Sequence, residues 1–156
     1  MTKYGVRGEK RTVGNVEDFS KIIDFTLRWE GGLVDDPDDP GGLTNFGISK
    51  RYHPDVDVRN LTRETATEWY YDKIWLGYKC DKDTHPNNIV IFEIAVNPGP
   101  KLLYMIPSGF DWKDLIIWRL DYYMDRVSES PKKVKYIGGW DNRTMELYFK
   151  ILKGEL

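Results

Sequence analysis

Trp29-Glu-Gly-Gly-Leu-Val-Asp-Asp-Pro-Asp-Asp-Pro-Gly-Gly-Leu-Thr-Asn-Phe-Gly-Ile48 joins a helix end to a loop too rich in Gly, Pro and Asp for regular structure. Upstream of it, Phe19, Ile22, Ile23, Thr26 and Leu27 recur at three- and four-residue steps, which predicts an amphipathic helix with that face turned to a core. Glu30 continues the stripe. A carboxylate on the core side of a last helical turn meets the negative end of the helix dipole, which costs roughly 0.3–1 kcal/mol, and it is desolvated as well. Both effects raise its pKa, as a general acid working near neutrality requires. Gly31 and Gly32 are suited to end the helix, because glycine accepts the left-handed conformation of a C-terminal cap. A glutamate at a solvated, frayed helix end is the commoner arrangement, and the pattern so far does not exclude it.

The loop shifts that balance. Asp39 follows Glu30 by nine residues and Thr44 follows Asp39 by five. Glu-Gly-Gly followed by Asp-Pro-x-Asp-Pro-Gly-Gly-x-Thr-Asn-x-Gly-Ile resembles the signature of the N-acetylmuramidases of glycoside hydrolase family 108, of phage endolysin type. Glu-x8-Asp-x4-Thr is also close to the spacing of the phage-type lysozyme triad. Leu61-Thr62-Arg63-Glu64 with Ala66, Tyr70 and Trp75 is similar to the helix after that family's active-site loop, and Ala95-Val96-Asn97-Pro98-Gly99-Pro100 to its Ala-Val-Asn-x-Gly-Pro turn. Arg119, Tyr122, Tyr123 and Gly139-Trp140-Asp141-Asn142-Arg143 resemble the end of the peptidoglycan-binding region that accompanies these enzymes. Leu33 stands where the family usually has Tyr, and Glu93 where Asp is usual. The stretch between Pro100 and Leu115 lacks the family's Gly-x-x-Gly-Pro-x-Thr segment, which argues against a separate C-terminal binding module.

Composition is consistent with a globular chain able to bury a core: 156 residues, 40% hydrophobic and 14% aromatic. Six Trp and ten Tyr are more than such a core needs, and rings beside carboxylates suit sugar recognition. The net charge of -2 argues against nucleic acid as a partner. Cys80 is the single cysteine, so neither an intrachain disulfide nor a thiolate zinc cluster is available. Asp35, Asp36, Asp38 and Asp39 offer hard oxygen ligands, but the two prolines and the lack of a closing Glu disagree with an EF-hand loop, so no metal is expected. The polar stretch Met1–Arg11 lacks a signal-peptide run, and Ile89–Val96 is too short to span a bilayer. The expectation is synthesis in a bacterial cytoplasm, with release to the wall by a holin or a secretion apparatus.

Along the chain, residues 1–14 read as a flexible arm and Asn15 as the N-cap of the first helix. A short extended or turn region, with a hairpin possible, follows Gly47 and ends at Pro54. Thr62 caps a scaffold helix closed by Trp75. Pro86 opens a helix over Asn87–Val96 whose continuous apolar character places it centrally, and Asn97-Pro98-Gly99-Pro100 ends it. Trp112, Leu115, Ile116, Arg119, Leu120, Tyr123 and Val127 mark another helix, ending near Pro131. Gly138-Gly139 are expected to break the chain before a last helix from about Trp140 to Leu152. Arg119 and Arg143 could anchor carboxylates of a ligand, although internal ion pairing is the preferred reading.

Together these predict a mainly α, lysozyme-like helical domain with a small irregular or β-containing active-site lobe. Residues 15–156 would form one domain, with 15–99 as catalytic core and 100–156 completing it. The resemblance implies hydrolysis of the β-1,4 bond between N-acetylmuramic acid and N-acetylglucosamine in bacterial peptidoglycan, by a monomer without cofactor. Glu30 would be the acid, Asp39 the second carboxylate with Asp36 as alternative, and Thr44 an aid to water or charge placement. Asn45, Asn97 and Trp75 are the candidate substrate-binding residues. A lytic transglycosylase, which needs Glu30 but tolerates loss of Asp39, and a non-catalytic wall-binding protein are the rival readings.

Overall fold

Helix α1, Val13–Glu30, buries Phe19, Ile22, Ile23, Thr26 and Leu27, so the expected stripe is the face it packs inward. The computed structural model describes residues 13–35 and 42–156, with side chains from residue 16 onward. The helix starts upstream of Asn15, which lies inside its first turn instead of capping it. Most of the expected arm and the loop positions Asp36 and Asp39 lie outside the described residues. Gly31 takes φ +75° directly after the helix, the left-handed cap predicted for it.

The loop's two ends are joined by backbone bonds between Val34 and Thr44, 2.7 and 2.8 Å long. Thr44 opens a small antiparallel hairpin, β1 (Thr44–Asn45) and β2 (Ile48–Ser49). Its two-residue turn, Phe46-Gly47, has φ +50° and +76°, the doubly left-handed pattern of a type I′ turn. Asn45 fixes this hairpin to the short turn Val58–Asn60, donating its amide to the carbonyls of Val58 (3.1 Å) and Leu61 (3.3 Å).

Helix α2, Arg63–Tyr70, starts at Thr62, whose hydroxyl accepts from the Thr65 amide while the Thr65 hydroxyl accepts from Thr62 N–H. It continues into a π-helical turn, Tyr71–Trp75, that carries Trp75 into the core against Phe19 and Phe92. Helix α3, Asn87–Val96, is central: seven of its ten residues are buried, including Asn88 and Glu93, and it packs on α1 and α4.

Helix α4 (Trp112–Glu129) begins at a capping box of Asp111 with Asp114. Helix α5 (Val134–Leu152) runs straight through Gly138-Gly139, which corrects the expected break. The reason is tertiary. Tyr136 and Trp140, one turn apart on either side of the pair, stack on each other, and Trp140 stacks on Tyr123 of α4, so packing overrides a propensity cost of about 1 kcal/mol per glycine. Leu115, Ile116 and Leu147 share one buried cluster with Phe19, Ile22 and Phe92. The architecture is mainly helical with a small β-containing lobe, and no described helix is long and apolar enough to cross a membrane.

Candidate active site

Three elements converge on the Glu30 carboxyl. The last turn of α1 presents it, the hairpin turn covers it, and α5 brings Arg143 to it. Arg143 donates Nη1–H to Glu30 Oε1 at 2.6 Å, with only 17% of the Glu30 side chain and 5% of the Arg143 side chain exposed. Gly47 lies so close that a Cβ there would stand 2.5 Å from Glu30 Oε2 and 2.7 Å from the Tyr70 hydroxyl. No side chain fits. Tyr70 in turn donates its hydroxyl proton to the Phe46 carbonyl at 2.9 Å, which holds the left-handed turn over the carboxyl.

Beneath Glu30 sits a second carboxylate, Glu93 of α3, fully buried. Arg143 binds it bidentately, Nε to Oε2 at 2.9 Å and Nη2 to Oε1 at 3.0 Å. Thr26 donates to Oε1 at 2.5 Å, and Arg119 Nη2 stands 3.6 Å from Oε2. Burial alone would push the Glu93 pKa up, but the charges and hydrogen bonds of Arg143, Arg119 and Thr26 outweigh it, and Glu93 ends below the usual carboxylate range. Glu30 goes the other way. Burial raises it, the Glu93 charge adds to the rise, and its single bond to Arg143 only partly offsets them. Of the two carboxyls on Arg143, Glu30 is therefore the one that takes up a proton more readily, and Glu93 the one that holds its negative charge. Burial and the Glu30 carboxyl also hold the Tyr70 phenol well above its usual range, so it stays a neutral donor.

Glu30 lies in the wall of a cleft of about 640 Å³, lined also by Tyr52, His53, Trp69, Tyr78 and Tyr122. Tyr52 is well exposed, and His53 lies edge-on to Trp69 at 4.7 Å. These are the rings available to a ligand. Trp75, expected among them, is not: it is wholly buried between Phe19 and Phe92. Asn45 is likewise committed to the Val58 and Leu61 carbonyls and buried, so its role is to hold the hairpin. Asn97 accepts from the Tyr123 hydroxyl at 2.7 Å and lines a neighbouring pocket. Thr44 is half-buried and directs its hydroxyl at the Gly42 carbonyl, 3.3 Å away. Asp36 and Asp39 fall outside the described residues.

Glu93, Tyr70, Gly47 and His53 were not singled out from the sequence as site residues. The signals available were a glutamate in the otherwise apolar run Ile89–Val96, at a position where the resembling family has Asp, and the presence of Tyr70 and Gly47 in the resembling motifs. Arg143 pairs internally, as preferred. Among the described residues, no group of three or more His, Cys, Asp or Glu side chains is arranged to hold a metal ion. Burial pushes the Cys80 thiol up to about 12, far from a nucleophile's range.

The family described as glycosyl hydrolase 108 matches residues 23–99, the segment that runs from within α1 past the end of α3. No curated protein matches the chain. The solved structure of Brucella abortus SagA has the same fold, with a TM-score of 0.69 at 22% identity, covering 88% of this chain and 95% of that one.

Proposed function

We infer, from a chain whose residues 23–99 belong to glycosyl hydrolase family 108, that the protein cleaves the β-1,4 bond between N-acetylmuramic acid and N-acetylglucosamine in bacterial peptidoglycan. The observation that carries this reading is Glu30: a carboxyl with a raised pKa in the wall of an aromatic-lined cleft, beside a second buried carboxylate that keeps the negative charge. Neutral N-acetyl sugars present apolar faces and hydroxyls, which suit the rings of Tyr52, Trp69, Tyr78 and Tyr122.

In this reaction Glu30 gives its proton to the glycosidic oxygen as the bond to the anomeric carbon breaks, and the leaving sugar departs as an alcohol. The carboxylate left behind is stabilised by Arg143, already 2.6 Å away, so proton loss needs no rearrangement. The positive charge that develops on the departing ring calls for a second carboxylate, and the loop carrying Asp39 and Asp36 supplies the candidates. Both ends of that loop are tied at Val34 and Thr44, next to the hairpin turn that touches Glu30. Water then adds to the anomeric carbon and loses a proton to a carboxylate of the site, which balances the proton Glu30 gave up; Thr44 is the candidate aid in placing that water.

Glu30→Gln tests the assignment, because the amide keeps the shape and can still accept from Arg143 but cannot supply the proton. Turnover of purified cell walls is expected to fall by about 10²–10⁴-fold with the thermal midpoint retained. Near wild-type clearance by the folded variant would sink the assignment. Mass spectrometry of the wild-type digest should find reducing muramic ends, whereas 1,6-anhydro ends would identify a transglycosylase instead.

A further inference from the structure

A second pocket, of about 310 Å³, adjoins the cleft and shares Val96, Pro98 and Tyr122 with it. It differs from the cleft in charge. Arg126 and Lys133 line it together with Tyr123, Tyr136 and Trp140, and no carboxylate is among its lining residues. The rings form a stacked wall, Tyr123 on Trp140 at 4.9 Å and Trp140 on Tyr136 at 5.8 Å. Arg126 meets Glu129 at 3.1 Å, but Glu129 is largely in solvent, Arg126 is 40% exposed and the two are three residues apart on one helix, so the pair is weak and readily exchanged for a ligand carboxylate.

Two cations beside an apolar wall call for a ligand that is both anionic and partly apolar. A glycan of N-acetylated sugars is neutral and has no use for them. The anionic part of peptidoglycan is the short peptide stem, which leaves the muramic ring through its lactyl group and carries free carboxylates and alanine methyls. We propose that this pocket receives the peptide stem of the muramic residue bound in the adjoining cleft, with Arg126 and Lys133 pairing to its carboxylates and the rings of Trp140 and Tyr136, backed by the buried Tyr123, packing on its methyl groups. The proposal rests on the muramidase reading and adds to it a determinant of substrate choice: the enzyme selects stem-bearing strands.

The test compares two substrates, intact peptidoglycan strands and the same strands stripped of stems by an amidase and then amidated at the lactyl carboxylates this frees, so that they are neutral. The double variant Arg126→Gln, Lys133→Gln should raise KM on stem-bearing strands about tenfold with little change in kcat, and leave turnover of stripped strands unaltered. Equal losses on both substrates, or no loss on either, would overturn it. A binding arm separates this result from the fate of the muramidase reading. Stem tetrapeptide alone, at about 10 mM so that a millimolar site is mostly filled, should shift the Trp140 indole resonance in the wild type and not in the double variant. If the wild type cleaves neither substrate, the reaction assignment has failed while that shift still supports the pocket; an unmoved Trp140 resonance would remove it.

Discussion

At the scale of single residues, the site depends on where one proton resides. Glu93 raises the Glu30 pKa through its charge and also takes two of the three hydrogen bonds that Arg143 makes to carboxylates. Glu93→Gln removes the charge and loosens that hold, so the Glu30 pKa should fall and the basic limb of the kcat/KM profile should move to lower pH. A limb that stays in place would show that Glu93 does not set the acid. The same substitution leaves Arg143 and Arg119 buried with less compensation, a loss of about 3–5 kcal/mol by the usual cost of breaking a buried pair. The sign of the pH dependence follows from the lowered Glu93 pKa: its stabilising contribution is present above the ordinary value of 4.5 and is lost as pH falls through the lower folded value, so the variant should be less sensitive to acid than the wild type. Gly47→Ala is a second probe. Its Cβ would meet the Glu30 carboxyl at 2.5 Å, and displacing that group by around an ångström should lower kcat about 10²-fold, measurable on purified walls. Helical periodicity and a glycine cap placed Glu30 at the core side of a helix end, and the likeness of the following loop to a family signature was what singled it out there. Glu93, Tyr70 and Gly47 were not singled out, because their role exists only where α1, α2, α3, α5 and the hairpin turn meet, and no local pattern encodes that meeting.

At the scale of elements, local signals worked where they agreed with packing. The Thr62 cap, the glycine after α1 and the bounds of α3 were all readable, since each depends on residues adjacent in sequence. Helix α5 was misread because Gly138-Gly139 is a strong local breaker, whereas the stack of Tyr136, Trp140 and Tyr123 that carries the helix across it joins two different helices. If packing overrides propensity here, the glycines are a tolerated cost and not a requirement. Neither has φ in the left-handed region, and a Cβ at either would meet nothing within 4 Å. Gly138→Ala and Gly139→Ala should each therefore stabilise the protein by about 0.5–1 kcal/mol, raising the thermal midpoint by a few degrees with activity unchanged. Destabilisation by either change would mean that the helix needs a flexible point there.

At the scale of the whole molecule, the family match ends at residue 99 but the site does not. Arg143, which bonds Glu30 and chelates Glu93, lies on the last helix, and Leu115, Ile116 and Leu147 belong to the same buried cluster as Phe19 and Phe92. We propose that residues 100–156 complete a single cooperative unit and are not an accessory module. A chain ending at Gly99 would leave Glu93 without both of its arginines in what remains of the core, and would open the surface of α3 that α4 covers. The lost ion pairs alone are worth about 3–5 kcal/mol, a large part of a typical domain's net stability of 5–15 kcal/mol. The truncated protein should accordingly be insoluble, or should bind a hydrophobic dye without a cooperative thermal transition, and should not clear cell walls. The outcome against the proposal is equally concrete: residues 1–99 that melt cooperatively and still cleave peptidoglycan would place the whole catalytic unit inside the matched segment, and would reduce Arg143 to an adjustment of a site that works without it.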